Sequence, residues 1–315
     1  MTTSAIVTEA GVKKPKLPPK IDPSTRRKAR TARGLVLPAL LISIALTQIP
    51  FIVTIIVSFM NWNQLRPDET GFAGLNNYLS IFSNADFLSS LWATVSITGS
   101  SVILALLLGL GFALLLDRNF AGQGIARTLL ITPFLVMPAA ASLLWKFLML
   151  DVNNGIVNVA LQAIGLPSIS WNTDMPPVTI IIVMTWQFTP FMMLILLAGL
   201  QSQDKGVLEA ASVDGAGRFR TFHYMTLPHL RQYIEIAVLL GGIMLLQMFD
   251  PIAIMTKGTG GTKTLPYLLY ERAFIGLDIG QAAAFGVVTV AITLAVASIA
   301  LRSLFKVFVE GKVRD

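Results

Sequence analysis

Six separate stretches of this chain are each long and apolar enough to cross a lipid bilayer, and this restricts the fold more than any other feature. A helix needs about 20 mainly apolar residues to span the hydrocarbon core. Residues 35–60, 91–116, 129–148, 178–200, 234–254 and 281–301 meet that length. Lipid offers the backbone no hydrogen-bond partner, so each stretch has to satisfy its own N–H and C=O groups as a helix. The expected class is an all-α integral membrane protein with six transmembrane helices. Composition agrees, with 54% hydrophobic residues, 13% charged residues and a mean hydropathy of +0.69. A soluble domain carries about a quarter charged residues.

The expected division is a basic, disordered tail over 1–33, a six-helix domain over 34–305 and a short tail over 306–315. The first tail combines four prolines with a dense cluster of Lys and Arg, and has too little apolar content to pack. Because the first apolar run begins only after that tail, it reads as a membrane helix and not as a cleaved signal peptide. Basic residues near span ends stay on the cytoplasmic side. They collect in the N-terminal tail, at Arg118 and Arg127, at Lys205, Arg218, Arg220 and Arg231, and in the last residues of the chain. Both termini and the loop over 201–228 are therefore expected to be cytoplasmic in a bacterial membrane. Trp62, Trp92 and Trp171 fall at the opposite interface, where indole rings anchor helices. The net charge of +7 follows from this sidedness and implies no nucleic acid as partner.

Charges and prolines inside the spans have plain readings. Lys146, near the outer end of the third span, is expected to snorkel to the interface. Glu235 stands four residues after Arg231, a spacing that favours a local ion pair. Pro38, Pro50, Pro133, Pro138 and Pro190 free backbone carbonyls and kink helices, which suits helices arranged around a cavity.

Several kinds of chemistry are excluded. The chain has no cysteine, so it forms no disulfide and offers no thiolate. "GTGGTKT" at Gly258 has Thr262 where a phosphate-cradling loop needs glycine before its lysine. "GAGRFR" at Gly215 lacks the third glycine of a dinucleotide fingerprint. His223 and His229 have no acidic neighbours at metal-ligand spacing, and no catalytic constellation stands out. The chain reads as neither an enzyme nor a metal or cofactor binder.

One polar segment between the fourth and fifth spans has internal order, "EAASVDGAGRFRTFHYMTLP" from Glu209. Asp204 is placed to cap a short helix over 205–213. Gly215 ends it, because glycine enters the left-handed region at almost no cost. Phe219, Phe222 and Met225 recur at three-residue spacing as a second short helix, and Leu227-Pro228 opens the next membrane helix with proline in its tolerated first turn. Small residues make the first helix a narrow ridge that another protein can approach closely, and its acid offers a handle to a basic or amide partner. The same residues also suit a helix-turn-helix lying on lipid headgroups.

The order Glu209-Ala210-Ala211, Asp214-Gly215-Ala216, Phe222 and Leu227-Pro228 resembles the cytoplasmic loop of permease subunits of ATP-binding-cassette importers. "FAGLNNY", "NGIVN", "FDPIAIMTKGTGG" and "AAAFGVV" extend the resemblance over nearly all the chain after the tail, toward the carbohydrate branch of the maltose and glycerol-3-phosphate type. Gln203-Asp204 stand where that family often has Ile-Pro. "GGTKTLPYLLYER" and "VMPAAASLLWKFLMLD" look similar to sugar-alcohol permeases. The resemblance implies a type I importer permease fold in which Glu209, Ala210, Ala211, Asp214, Gly215, Ala216 and Gly217 form a coupling helix inserted into an ATPase subunit. It also implies the partners: a second homologous permease subunit, an ATP-binding-cassette ATPase dimer that uses ATP and magnesium, an extracytoplasmic substrate-binding protein and a carbohydrate substrate. This chain itself would bind no cofactor.

For the substrate, Met184, Gln187, Phe188 and Phe191 share one face of the fourth span, and Gln247 lies in the fifth. Aromatic rings with a few amides suit a polyhydroxylated ligand, although an aromatic stripe also serves helix packing. Two other classes stay open. An ion-coupled secondary transporter would need buried carboxylates or discontinuous helices for ion coupling, and in the spans only Glu235 and the peripheral Asp250 are available. A non-transporting membrane scaffold could use the same ridge.

Overall fold

The computed structural model describes residues 23–311. Residues 1–22 of the basic tail and 312–315 of the C-terminal tail lie outside the described residues. The chain divides into two compact units, Met1–Val53 and Thr54–Asp315. Helix α1 runs over Pro23–Ser58, so residues 23–33, expected to be disordered, are helical. From Val36 to Val53 its side chains are almost all exposed, as an apolar helix that faces lipid or another chain would be.

The second unit opens with strands β1 (Met60–Asn61) and β2 (Gly71–Phe72), antiparallel, with Met60 opposite Phe72. Helices α2 (Asn76–Phe82), α3 (Ala85–Leu116), α4 (Gln123–Leu135) and α5 (Pro138–Leu144) follow. Short helices α6 (Ile156–Ala163) and α7 (Trp171–Asp174) lead to the long α8 (Pro176–Gln201). Next come α9 (Lys205–Val213), α10 (Arg218–Thr221) and α11 (Leu227–Leu246), then α12 (Leu265–Tyr270) and α13 (Ile279–Gly311). Four of the described helical segments are long and apolar enough to cross a membrane, residues 36–58, α3, α8 and the continuous run Arg218–Leu246. A bent pair, Gln123–Leu135 with Pro138–Met149, makes a fifth. The expected sixth span lies within α13, whose described apolar part is Ile279–Ala295.

Helix α8 is the centre of the unit. Val183, Met184, Phe188 and Met192 are buried in one core with Ile97 and Ala105 of α3 and Ala237 and Leu245 of α11. Met192 is the wedge that sets this spacing. A Cβ placed on Gly109 of α3 would lie 2.9 Å from the Met192 Cβ and 2.9 Å from the Met193 amide nitrogen. On the other side, the Met192 Cε occupies the space a Cβ on Gly241 of α11 would need. Small residues facing a large one let membrane helices approach closely where no hydrophobic force separates helix from lipid.

Two expected spans are not straight helices. The third, expected over 129–148, breaks after Leu135 and turns by 101° before Pro138. Pro138 has no N–H and pushes Met137 out of the helical region, to ψ 134, while Val136 is also extended. The freed Val136 carbonyl accepts a hydrogen bond from Gln187 Nε2 at 2.9 Å, which meets the need of a polar group at membrane depth. The fifth, expected over 234–254, stops at Leu246 and resumes as a π turn over Ile252–Thr256. Lys146 does not snorkel: its Nζ donates to the Ile254 carbonyl at 2.6 Å, from one π turn (Trp145–Met149) to the other. The Arg231–Glu235 pair is present at 3.0 Å, though Arg231 is exposed and an exposed i,i+4 pair stabilises by only about 0.3–0.5 kcal/mol.

Candidate functional site on the loop between α8 and α11

Local rules fix α9 at both ends. Asp204 is extended, and its Oδ1 accepts from the Gly206 amide at 2.8 Å, so one orphan donor of the first turn is satisfied. At the other end Gly215 takes φ +80°, a region L side chains enter at a cost of about 1–2 kcal/mol. Two carbonyls are closed by this step. The Ala216 amide donates to Ala211 at 2.9 Å and the Gly215 amide to Ser212 at 3.1 Å, the two bonds of a Schellman motif. Gly217 then starts α10 in an extended conformation. From α10 the chain passes through a π turn, Phe222–Thr226, straight into α11, with Pro228 in the first turn as expected.

The exposed side of this device carries Glu209, Ala210, Asp214, Gly215 and Gly217. Glu209 makes no ion pair among the described residues. Ala211 is buried and Ala216 half-buried, so the small-residue ridge is split: part faces outward and part faces its own chain. Beneath α9 lies a hollow of about 310 Å³, bordered by Leu208 and Ser212 of α9, Leu114 and Asp117 at the end of α3, and Arg218 and Phe222. Val213, 88% exposed, and Phe219, 83% exposed, flank the turn as large apolar groups without cover. Reading the motif for its small residues passed over Val213, and the signal for it was its place on the face opposite Leu208 and Ala211.

On the α8 face, Met184, Gln187 and Phe188 are buried and Phe191 is half-buried. The structure brings three of them to the break in the bent pair. Phe134 of α4 meets Phe188 edge-on at 6.0 Å and Phe191 at 5.4 Å, beside the Gln187–Val136 bond. Gln187 Oε1 is buried without a hydrogen-bond partner. Gln247 is exposed at the C-cap of α11, and its Nε2 reaches the Ile243 carbonyl at 3.3 Å. The opposite face of α8 borders a cavity of about 750 Å³ lined by five leucines of α3 and α4 together with Phe112, Trp186, Thr185 and Thr189 among others.

Residues 37–314 match the family described as binding-protein-dependent transport system inner membrane component. The chain is 33% identical over 287 residues to the probable ABC transporter permease protein y4oQ of Sinorhizobium fredii, covering 89% of this chain and 93% of that one. It is 32% identical over 274 residues to the trehalose/maltose transport system permease protein MalF of Thermococcus litoralis, covering 85% and 91%. In fold it is similar to a crystal structure of a bacterial ABC transporter involved in the import of the acidic polysaccharide alginate, with TM-score 0.77, 19% identity and coverage of 90% of this chain and 98% of that chain. With its helical fold, its apolar spans and a family match over nearly all of its length, the chain belongs to the inner membrane permease components of binding-protein-dependent transport systems.

Proposed function

We propose that this chain is one half of the channel of an ATP-driven importer that brings a sugar or sugar alcohol into the cytoplasm. It pairs with a homologous permease subunit, two ATPase subunits that hold ATP and magnesium, and an extracytoplasmic binding protein. Both termini and the α9 loop face the cytoplasm. The observation that carries the reading is the doubly capped α9, which presents the exposed Glu209 and Ala210 on a helix that cannot easily unravel. A helix fixed at both ends transmits displacement, whereas a frayed loop absorbs it.

In this mechanism, closure of the ATPase dimer on nucleotide displaces α9, and the kinked crossings tilt so that the cavity opens outward. Hydrolysis and release of ADP and phosphate return it inward. Coupling of this kind requires both ligands to bias the same two-state element. The coupling set is Glu209, Ala210, Asp214, Gly215 and Gly217 on the outer side, with Ala216 lining the hollow and Ala211 buried.

For the substrate we favour the face of Met184, Gln187, Phe188 and Phe191, with Gln247. The leucine-lined cavity on the far side of α8 offers a polyol little beyond two threonines. Gln187 Oε1 is an acceptor without a partner, next to a break in which backbone is already out of helical register. Opening that break would expose the amide and two aromatic rings together, which suits C–H faces and hydroxyls. The relative from Thermococcus litoralis is named for trehalose and maltose, which supports a carbohydrate; a sugar alcohol is the finer reading from "GGTKTLPYLLYER" and "VMPAAASLLWKFLMLD". The test is uptake by the reconstituted complex of sorbitol, mannitol and maltose supplied with the binding protein. Uptake of none of them, with an amino acid or inorganic ion carried instead, would refute the substrate class.

A further inference from the structure

The base of the α9 loop is fastened by a chain of polar bonds that neither helix needs in order to end. The Ser202 amide already donates to Ala198 at 3.1 Å, so α8 closes without outside help. Across the loop, His229 Nε2 lies 3.1 Å from the Gly199 carbonyl and 3.1 Å from Ser202 Oγ. A carbonyl only accepts, so Nε2 carries the proton and donates. The Ser202 hydroxyl donates to the same carbonyl at 2.8 Å, and the Tyr233 hydroxyl, 2.8 Å away, donates to Ser202 Oγ. The three hydrogens on His229 Nε2, Ser202 Oγ and Tyr233 Oη are thus directed without conflict.

Packing brings the two helices close enough for these bonds. A Cβ on Gly199 would fall 2.6 Å from Tyr233 Cγ and 2.8 Å from Leu230 Cδ2, so the phenol ring lies directly on bare α8 backbone. Leu230 is fully buried beside it. The junction joins the last turn of α8 to the first two turns of α11, and everything between them is the loop that contains α9.

We propose that Ser202, His229 and Tyr233 are positioning residues that bolt the two ends of the loop together. A push on α9 then moves α8 and α11 as one piece and is not lost in a hinge at the loop base. The proposal rests on the reading of α9 as the coupling helix. Its own content is narrower: the junction sets how much transport each ATP delivers, and touches neither nucleotide nor substrate.

The test uses the complete transporter in proteoliposomes, with uptake and ATP hydrolysis measured together. Ser202→Ala combined with Tyr233→Phe, and separately His229→Leu, remove the bonds while keeping most of the packing. Uptake per ATP is expected to fall about fivefold or more, the scale of an ordinary coupling free energy, with ATP hydrolysis persisting. His229→Gln keeps a donor and is expected to restore most of the ratio. Because the chain has no cysteine, nitroxide labels on Val207→Cys and Ala198→Cys, both exposed, report the α9 to α8 distance. That distribution is expected to broaden in the bolt variants. An unchanged ratio and an unchanged distribution in both variants overturn the bolt. Normal uptake by both Glu209→Lys and Gly215→Pro overturns the coupling reading instead, and the label distances still decide the bolt on their own.

Discussion

The Lys146 ammonium and the Ile254 carbonyl oxygen are 2.6 Å apart, joining the π turn that ends the bent pair to the π turn that follows α11. A charged donor on a carbonyl is worth about 1.5–3 kcal/mol, and leaving a shielded carbonyl unpaired costs a similar amount. Lys146→Met is therefore expected to destabilise the protein by about 2 kcal/mol, read as a lower unfolding temperature of the solubilised chain. Lys146→Arg is expected to lose less. Equal stability of Lys146→Met and the parent would mean the bond contributes nothing.

Gly215 and Glu209 act on different links of the same chain of events. Proline fixes φ near −65° and has no place at φ +80°, so Gly215→Pro is expected to break the end of α9. Glu209→Lys leaves the helix intact and reverses an exposed charge. Both variants are expected to reach the membrane, to import nothing, and to release or uncouple the ATPase, as followed by co-purification and uptake. Normal import by both would refute the docking role.

Asp204→Ala removes the N-cap and is expected to cost α9 about 1 kcal/mol. Since α9 holds its shape before docking in this account, ATPase affinity is expected to weaken by roughly fivefold, the equivalent of that energy. Titration of the ATPase against the reconstituted permease reads this directly, and Asp204→Asn, which keeps an accepting oxygen, is expected to bind almost as well as the parent.

Phe188→Ala and Gln247→Ala are expected to change substrate preference or transport rate without loss of ATPase assembly. Phe188 carries a further expectation, because it is buried against Phe134: truncation of a buried Phe costs about 3–5 kcal/mol, so Phe188→Leu is the safer variant for transport assays. Unchanged transport in Phe188→Leu/Gln247→Ala would remove these residues from the pathway.

Local signals in the sequence were read correctly where local physics decides the outcome. Asp204, Gly215 and Pro228 each act within one turn of backbone, and the loop follows them residue by residue. The bend in the third crossing and the early stop of the fifth are not legible in the same way. A hydropathy sum over 129–148 is blind to direction, and Pro138 alone permits either a mild kink or a full turn. The turn is stabilised by Gln187, which lies 51 residues from the carbonyl it satisfies. The Lys146 bond is hidden for the same reason, since its partner is 108 residues away. The α8 face lies between the two cases: helical spacing groups Met184, Phe188 and Phe191, while the packing of Phe188 and Phe191 against Phe134 needs the bend in order to exist.

The π turn over Phe222–Thr226 fits one residue more into its turn than an α-helix would, immediately before α11. Deleting a single residue there would remove that excess and restore an ordinary turn with the helical phase between α10 and α11 kept, whereas the same deletion in ordinary helix would rotate everything upstream by about 100°. The turn is thus slack in the helical register, a place before α11 where a frame-preserving loss of one codon leaves the aim of α9 nearly unchanged.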